Sequence, residues 1–99
     1  MITVMRTGAI APGKTGEALA FAHQIAKYMH EKYGATIHLL VPVGGNPGRL
    51  GFRSEFANLA EWEARSAKLL ADAEYMELLA KNAAFFLPGS VNDDIWRSI

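Results

Sequence analysis

The chain has 99 residues, 51% of them hydrophobic, with ten lysines and arginines balanced by ten aspartates and glutamates. That is one domain with enough apolar material for a packed core. Zero formal charge and the lack of any local basic stripe argue against nucleic acid as a partner, and no apolar run approaches the length of a membrane span. There is no cysteine, which removes disulfides, thiolate metal sites and cysteine nucleophiles and suits a reducing cytoplasm. No signal peptide is visible, because Arg6 interrupts the first apolar run.

In chain order, Met1 to Ile10 reads as a strand, broken by Ala11-Pro12-Gly13. The helix that follows starts at Gly13 or Thr15. It carries Ala18, Ala22, Ile25 and Met29 at 3–4 spacing and stops at Gly34, a residue suited to the left-handed C-terminal position. Ala35 to Val43 is a second strand, with Ile37, Leu39 and Val41 on one face and His38, Leu40 and Pro42 on the other. Gly44-Gly45-Asn46-Pro47-Gly48 reads as a hairpin loop. These glycines sit between two strands and lack the lysine of a phosphate loop.

Strand three alternates Leu50, Phe52, Ser54 and Phe56 against Gly51, Arg53 and Glu55. Asn58-Leu59-Ala60-Glu61 has the form of a capping box. It opens a second helical stretch from Leu59 to about Phe86, with a kink or restart capped by Asp72. Pro88-Gly89 ends this stretch, and Ser90 to Ile99 is left to close the sheet. The order βαββαβ is that of an α+β ferredoxin-like sandwich, a four-stranded antiparallel sheet with helices on one face, as a single domain over 1–99.

Such a sandwich leaves its other sheet face open. Strand two is apolar on both faces, as is strand one, with Ile2 and Val4 against Met1 and Met5. A second copy laid face to face would bury that surface, at ~25 cal/mol per Å² of apolar area. No segment of the chain is spare to cover it, so a homodimer is expected.

Several motifs carry a family resemblance. These are Arg6-Thr7 in strand one, Pro12-Gly13-Lys14 at the first helix, Phe56-Ala57-Asn58-Leu59-Ala60-Glu61-Trp62-Glu63, and Leu70-Ala71-Asp72-Ala73-Glu74-Tyr75. In this order they span nearly the whole chain, which resembles the NIPSNAP-like proteins of the dimeric α+β barrel superfamily. The resemblance implies a homodimer whose two sheets enclose a barrel-like space. NIPSNAP-like chains often carry a glutamate and a tyrosine near the strand-one arginine, where this chain has Val4 and Gly8. Relatives that degrade haem use a histidine on the second helix, which this chain lacks there.

If the apolar face of strand three meets the helices, Arg53 and Glu55 point into the barrel, and His38 joins them. Arg6 completes the cluster if its side of strand one is the barrel side. Arg6, His38, Arg53 and Glu55 form the candidate ligand-binding set for an anionic or carbonyl-bearing molecule, with His38 the candidate acid–base residue. The competing structural reading is an ion-pair network across the dimer interface. His23 and His30, two helical turns apart, lack the spacing of a metal pair and belong to the solvated face. Trp62 reads as core and Trp96 as interface. No metal and no cofactor is expected. The expected function is binding of a small hydrophobic or anionic organic molecule in the barrel cavity. The alternatives are a cofactor-independent monooxygenase-like enzyme acting on an aromatic or quinol substrate and a non-catalytic partner-docking accessory protein.

Overall fold

The computed structural model describes residues 1–99. Its elements follow the order βαββααβ: β1 (Ile2–Ala9), α1 (Thr15–Tyr33), β2 (His38–Leu40), β3 (Arg49–Phe56), α2 (Leu59–Leu70), α3 (Ala73–Asn82) and β4 (Asn92–Arg97), with a 3₁₀ turn at Ala83–Phe85. The sheet order is β2-β3-β1-β4 and every pairing is antiparallel. This is the expected ferredoxin-like arrangement.

α1 begins at Thr15 without a side-chain cap and ends where Gly34 turns left-handed at φ 63°, its amide bonding the His30 carbonyl. Ala18 and Ala22 are fully buried on its inner stripe, which also carries buried Phe21, Ile25 and Met29. Asn58 caps α2 by accepting the Glu61 amide at 2.9 Å. The return arm of the capping box lands one residue early, because Glu61 accepts the amide of Ala57, not that of Asn58.

The second helical stretch restarts as expected. Asp72 accepts the Tyr75 amide and caps α3. It also does far more. Its Oδ2 accepts Tyr28 Oη at 2.6 Å, Tyr33 Oη at 2.6 Å and Lys32 Nζ at 2.9 Å. One buried carboxylate thus ties the α2–α3 joint to the last turns of α1. Its bonds to Tyr28, Tyr33 and Lys32 hold Asp72 well below the usual carboxylate range. The same carboxylate raises Lys32, while burial and Asp72 together raise Tyr28 and Tyr33.

Two boundaries differ from expectation. β2 is only His38–Leu40, since Pro42 has no amide to give the ladder and the Gly44–Gly45 turn follows at once. The helical stretch stops at Asn82 and tightens into the 3₁₀ turn before the chain folds back, where Leu87 donates its amide to Ala9 at 2.8 Å.

Candidate functional site

Strand alternation and register decide which side chains share a face. β1 opposes β3 as Ile2–Phe56, Val4–Ser54, Arg6–Phe52 and Gly8–Leu50, and these residues all face the helices. Thr3–Glu55, Met5–Arg53 and Thr7–Gly51 face away. His38 and Leu40 of β2 lie opposite Arg53 and Gly51 and share that open face. On β4, Asp93 and Ile95 face the helices, and Asp94 and Trp96 the open side.

Between the sheet and the helix layer lies a cavity of about 590 Å³, with fifteen hydrophobic residues among the 25 that line it. α1 supplies Phe21, Ile25 and Met29, and α2 and α3 supply Trp62, Leu69, Tyr75 and Leu79. Phe86 and the Leu87-Pro88-Gly89 segment contribute a further wall. Gly8 makes room for that wall: a Cβ there would meet the Phe86 ring at 3.2 Å. Phe86 in turn packs edge-on against Phe21, with centroids 5.9 Å apart.

The polar content of the cleft is small. Arg6 grips Asp93 in a two-pronged pair, Nε to Oδ1 at 2.7 Å and Nη2 to Oδ2 at 2.8 Å. The bond from Arg6 keeps the Asp93 carboxyl below its ordinary value, and Asp93 raises the guanidinium above its own. Ser54, Ser66 and Asn82 add neutral hydrogen-bonding groups. Arg65, on α2, lies over the Phe56 ring at 4.8 Å.

No family sequence model matches the chain, and no curated protein matches it by sequence. Solved structures do. A NIPSNAP domain protein from Burkholderia xenovorans superposes with a TM-score of 0.84 at 18% identity, covering 100% of this chain and 95% of that one. The chain has the fold of the NIPSNAP domain proteins. A NIPSNAP family protein from Agrobacterium tumefaciens gives 0.83 at 19% identity, covering 99% and 85%. A structure named antibiotic biosynthesis monooxygenase gives 0.75 at 15% identity, covering 100% and 99%.

Within this NIPSNAP-like fold the expected four-residue cluster is split by the sheet. His38, Arg53 and Glu55 share the open face. Arg6 does not join them. It follows Ile2 and Val4 in alternation, and the apolar face of β1 is the face that meets the helices. On the open face Glu55 stands 3.7 Å from Arg53, both side chains more than two-fifths exposed, and Arg53 Nε is buried without a partner. His38 is exposed beside them, opposite Arg53 in the ladder.

Sequence reasoning missed Asp93, Arg65 and Tyr75. β4 carries polar residues on both faces (Asn92, Asp93, Asp94, Arg97), so no alternation of hydropathy marks its inner side. Arg65 looks like any charge on an amphipathic helix. Tyr75 is four residues before Leu79, and that spacing places both on one helical face.

Proposed function

We propose that the protein binds a small, largely apolar organic molecule in the cleft between the sheet and the helices. The observation that supports this most is the cleft: about 590 Å³ of mostly apolar wall with a few convergent polar groups, the make-up of a small-molecule site. The proposed assembly is a homodimer through the open sheet faces. It is supported by Trp96 and Leu40, which are 67% and 38% exposed, and by the unpartnered Arg53 Nε. In that dimer His38, Arg53 and Glu55 form an interfacial polar network. The proposed setting is the cytoplasm.

A cofactor-independent monooxygenase-like activity is the second reading, and the likeness in fold to the antibiotic biosynthesis monooxygenase favours it. The groups of the cleft weigh towards binding. Asp93 is held ionised and Arg6 charged by each other, so neither trades a proton near neutral pH. His38, the sequence candidate for acid–base work, stands on the other side of the sheet.

Filling the cleft tests the proposal. Ser66→Phe places a ring in the cavity from α2, a helix with no buried residue of its own. Binding of naphthyl compounds, read by isothermal titration calorimetry, should fall at least tenfold with melting nearly unchanged. Equal binding by parent and variant contradicts the proposal.

A further inference from the structure

The ionisable side chains that line the cleft, tyrosine aside, are Arg6, Asp93 and Arg65. Arg6 and Asp93 neutralise each other through their two-pronged contact. Arg65 has no such match: it takes part in no ion pair and no side-chain hydrogen bond. The acidic groups that could reach it are otherwise engaged. Glu61, one helical turn earlier, is turned to the Ala57 amide at 3.1 Å. Glu55, which shares a second, polar hollow with Arg65, Thr36 and His38, faces Arg53. What holds the guanidinium is the face of the Phe56 ring. The guanidinium is half-buried on an aromatic ring with its fork of N–H donors unspent, and that fork matches the geometry of a carboxylate.

The cleft therefore carries one net positive charge at one end and a self-neutralised pair at the other. Arg6 lies opposite Phe52 and Arg65 lies over Phe56. Four residues of strand separate those two phenylalanines, about 13 Å. An excess charge beside apolar walls is costly unless the ligand brings the counter-charge.

We propose that Arg65 anchors the headgroup of an amphipathic monoanion, an aryl or alkyl carboxylate, whose apolar body runs along Phe56, Ser54 and Phe52 towards the Arg6–Asp93 pair. This rests on the cleft being the binding site and adds the charge class of its ligand. The far end of that ligand is neutral, because a second carboxylate there would compete with Asp93 for Arg6 and be repelled by it.

The test uses isosteric probes that differ only in charge, 1-naphthylacetate against 1-naphthylacetamide and octanoate against octanamide, titrated by calorimetry at low salt. The parent should bind each acid about tenfold more tightly than its amide, in keeping with a charged hydrogen bond. Arg65→Gln should remove that preference while leaving amide binding in place, and Arg65→Lys, which keeps the charge without the fork, should keep only part of it. The acid-to-amide ratio is the readout, since loss of the Phe56 contact alone would weaken both probes together. Equal binding of acid and amide by the parent, or a preference that survives in Arg65→Gln, overturns the anchor and leaves the cleft reading standing. If the parent binds none of the four probes, both readings fall.

Discussion

The two faces of the sheet carry the same kinds of residue and arrange them differently. On the helix face Arg6 meets Asp93 at 2.7 and 2.8 Å with both prongs of the guanidinium used. On the open face Arg53 reaches Glu55 only at 3.7 Å, and its Nε is covered yet unpaired. The first pair is complete within one chain and belongs to an apolar cleft. The second is incomplete, and it shares its face with exposed Trp96 and Leu40. An arginine beside a carboxylate on a strand is thus weak grounds for a site. Whether the neighbouring wall is helix or solvent decides what it does.

The helix face keeps its shape because Asp72 locks α3 to α1, so the largest effect should come from removing that carboxylate. Asp72→Ala strips three side-chain bonds and the α3 cap at once. It should lower the melting temperature more than any other substitution named here and loosen the cleft walls at Tyr75 and Leu79. Differential scanning calorimetry of Asp72→Ala beside Asn58→Ala checks the ranking, and equal melting of the two would show that the hub is ordinary capping.

The pH dependence follows from the same residue. Asp72 and Asp93 are both held below the ordinary carboxylate range, so their contribution is present above about pH 4, the unfolded value, and is lost as pH falls through the folded one. Lys32, Tyr28 and Tyr33 are raised, so theirs is present below their unfolded values, about pH 10, and is lost as pH rises through the folded ones. Stability measured by denaturant titration should be flat from about pH 5 to 9 and fall on both sides. Asp72→Ala should flatten both flanks, and unchanged flanks in that variant would remove Asp72 from the account.

Asn58→Ala should cost about 1 kcal/mol through loss of the α2 cap. In a domain of this size that is a fall of about 4–8 °C in melting temperature. Ligand binding should be unaffected, since Asn58 lies outside the cleft lining. The smallest effects should separate the two faces. Arg6→Ala should cost up to about 1 kcal/mol, as a well-aligned but partly exposed pair does, whereas Arg53→Ala should be close to neutral in the stability of a single chain. If the assembly is the face-to-face dimer, Arg53→Ala weakens association instead, which light scattering across a dilution series reads. A stable monomer of the parent protein at low micromolar concentration would contradict that assembly.

Local signals were legible in the sequence wherever one residue sufficed to set the structure. Gly34 ends α1, Asn58 starts α2 and Asp72 restarts the helix at α3, each as its type and spacing imply. The alternation of β3 correctly sent Arg53 and Glu55 away from the helices, and His38 follows through its pairing with Arg53. What failed needed register. Arg6 was ambiguous because β1 is apolar on both sides up to Met5, and only its pairing with Phe52 and Asp93 settles its direction. Asp93 was invisible for the same reason, since its role depends on a partner 87 residues away in the chain. The hub at Asp72 was seen as a cap alone, because the hydroxyls of Tyr28 and Tyr33 reach it from another helix.

Amide chemical-shift mapping with 1-naphthylacetamide tests the central claim most directly, because the amide probe reads the cleft without the Arg65 charge. Binding in the cleft predicts shifts concentrated at Ser54, Ser66, Tyr75 and Leu79, with His38, Arg53 and Glu55 unmoved. Shifts confined to the open face, or none at all at millimolar probe, would contradict it.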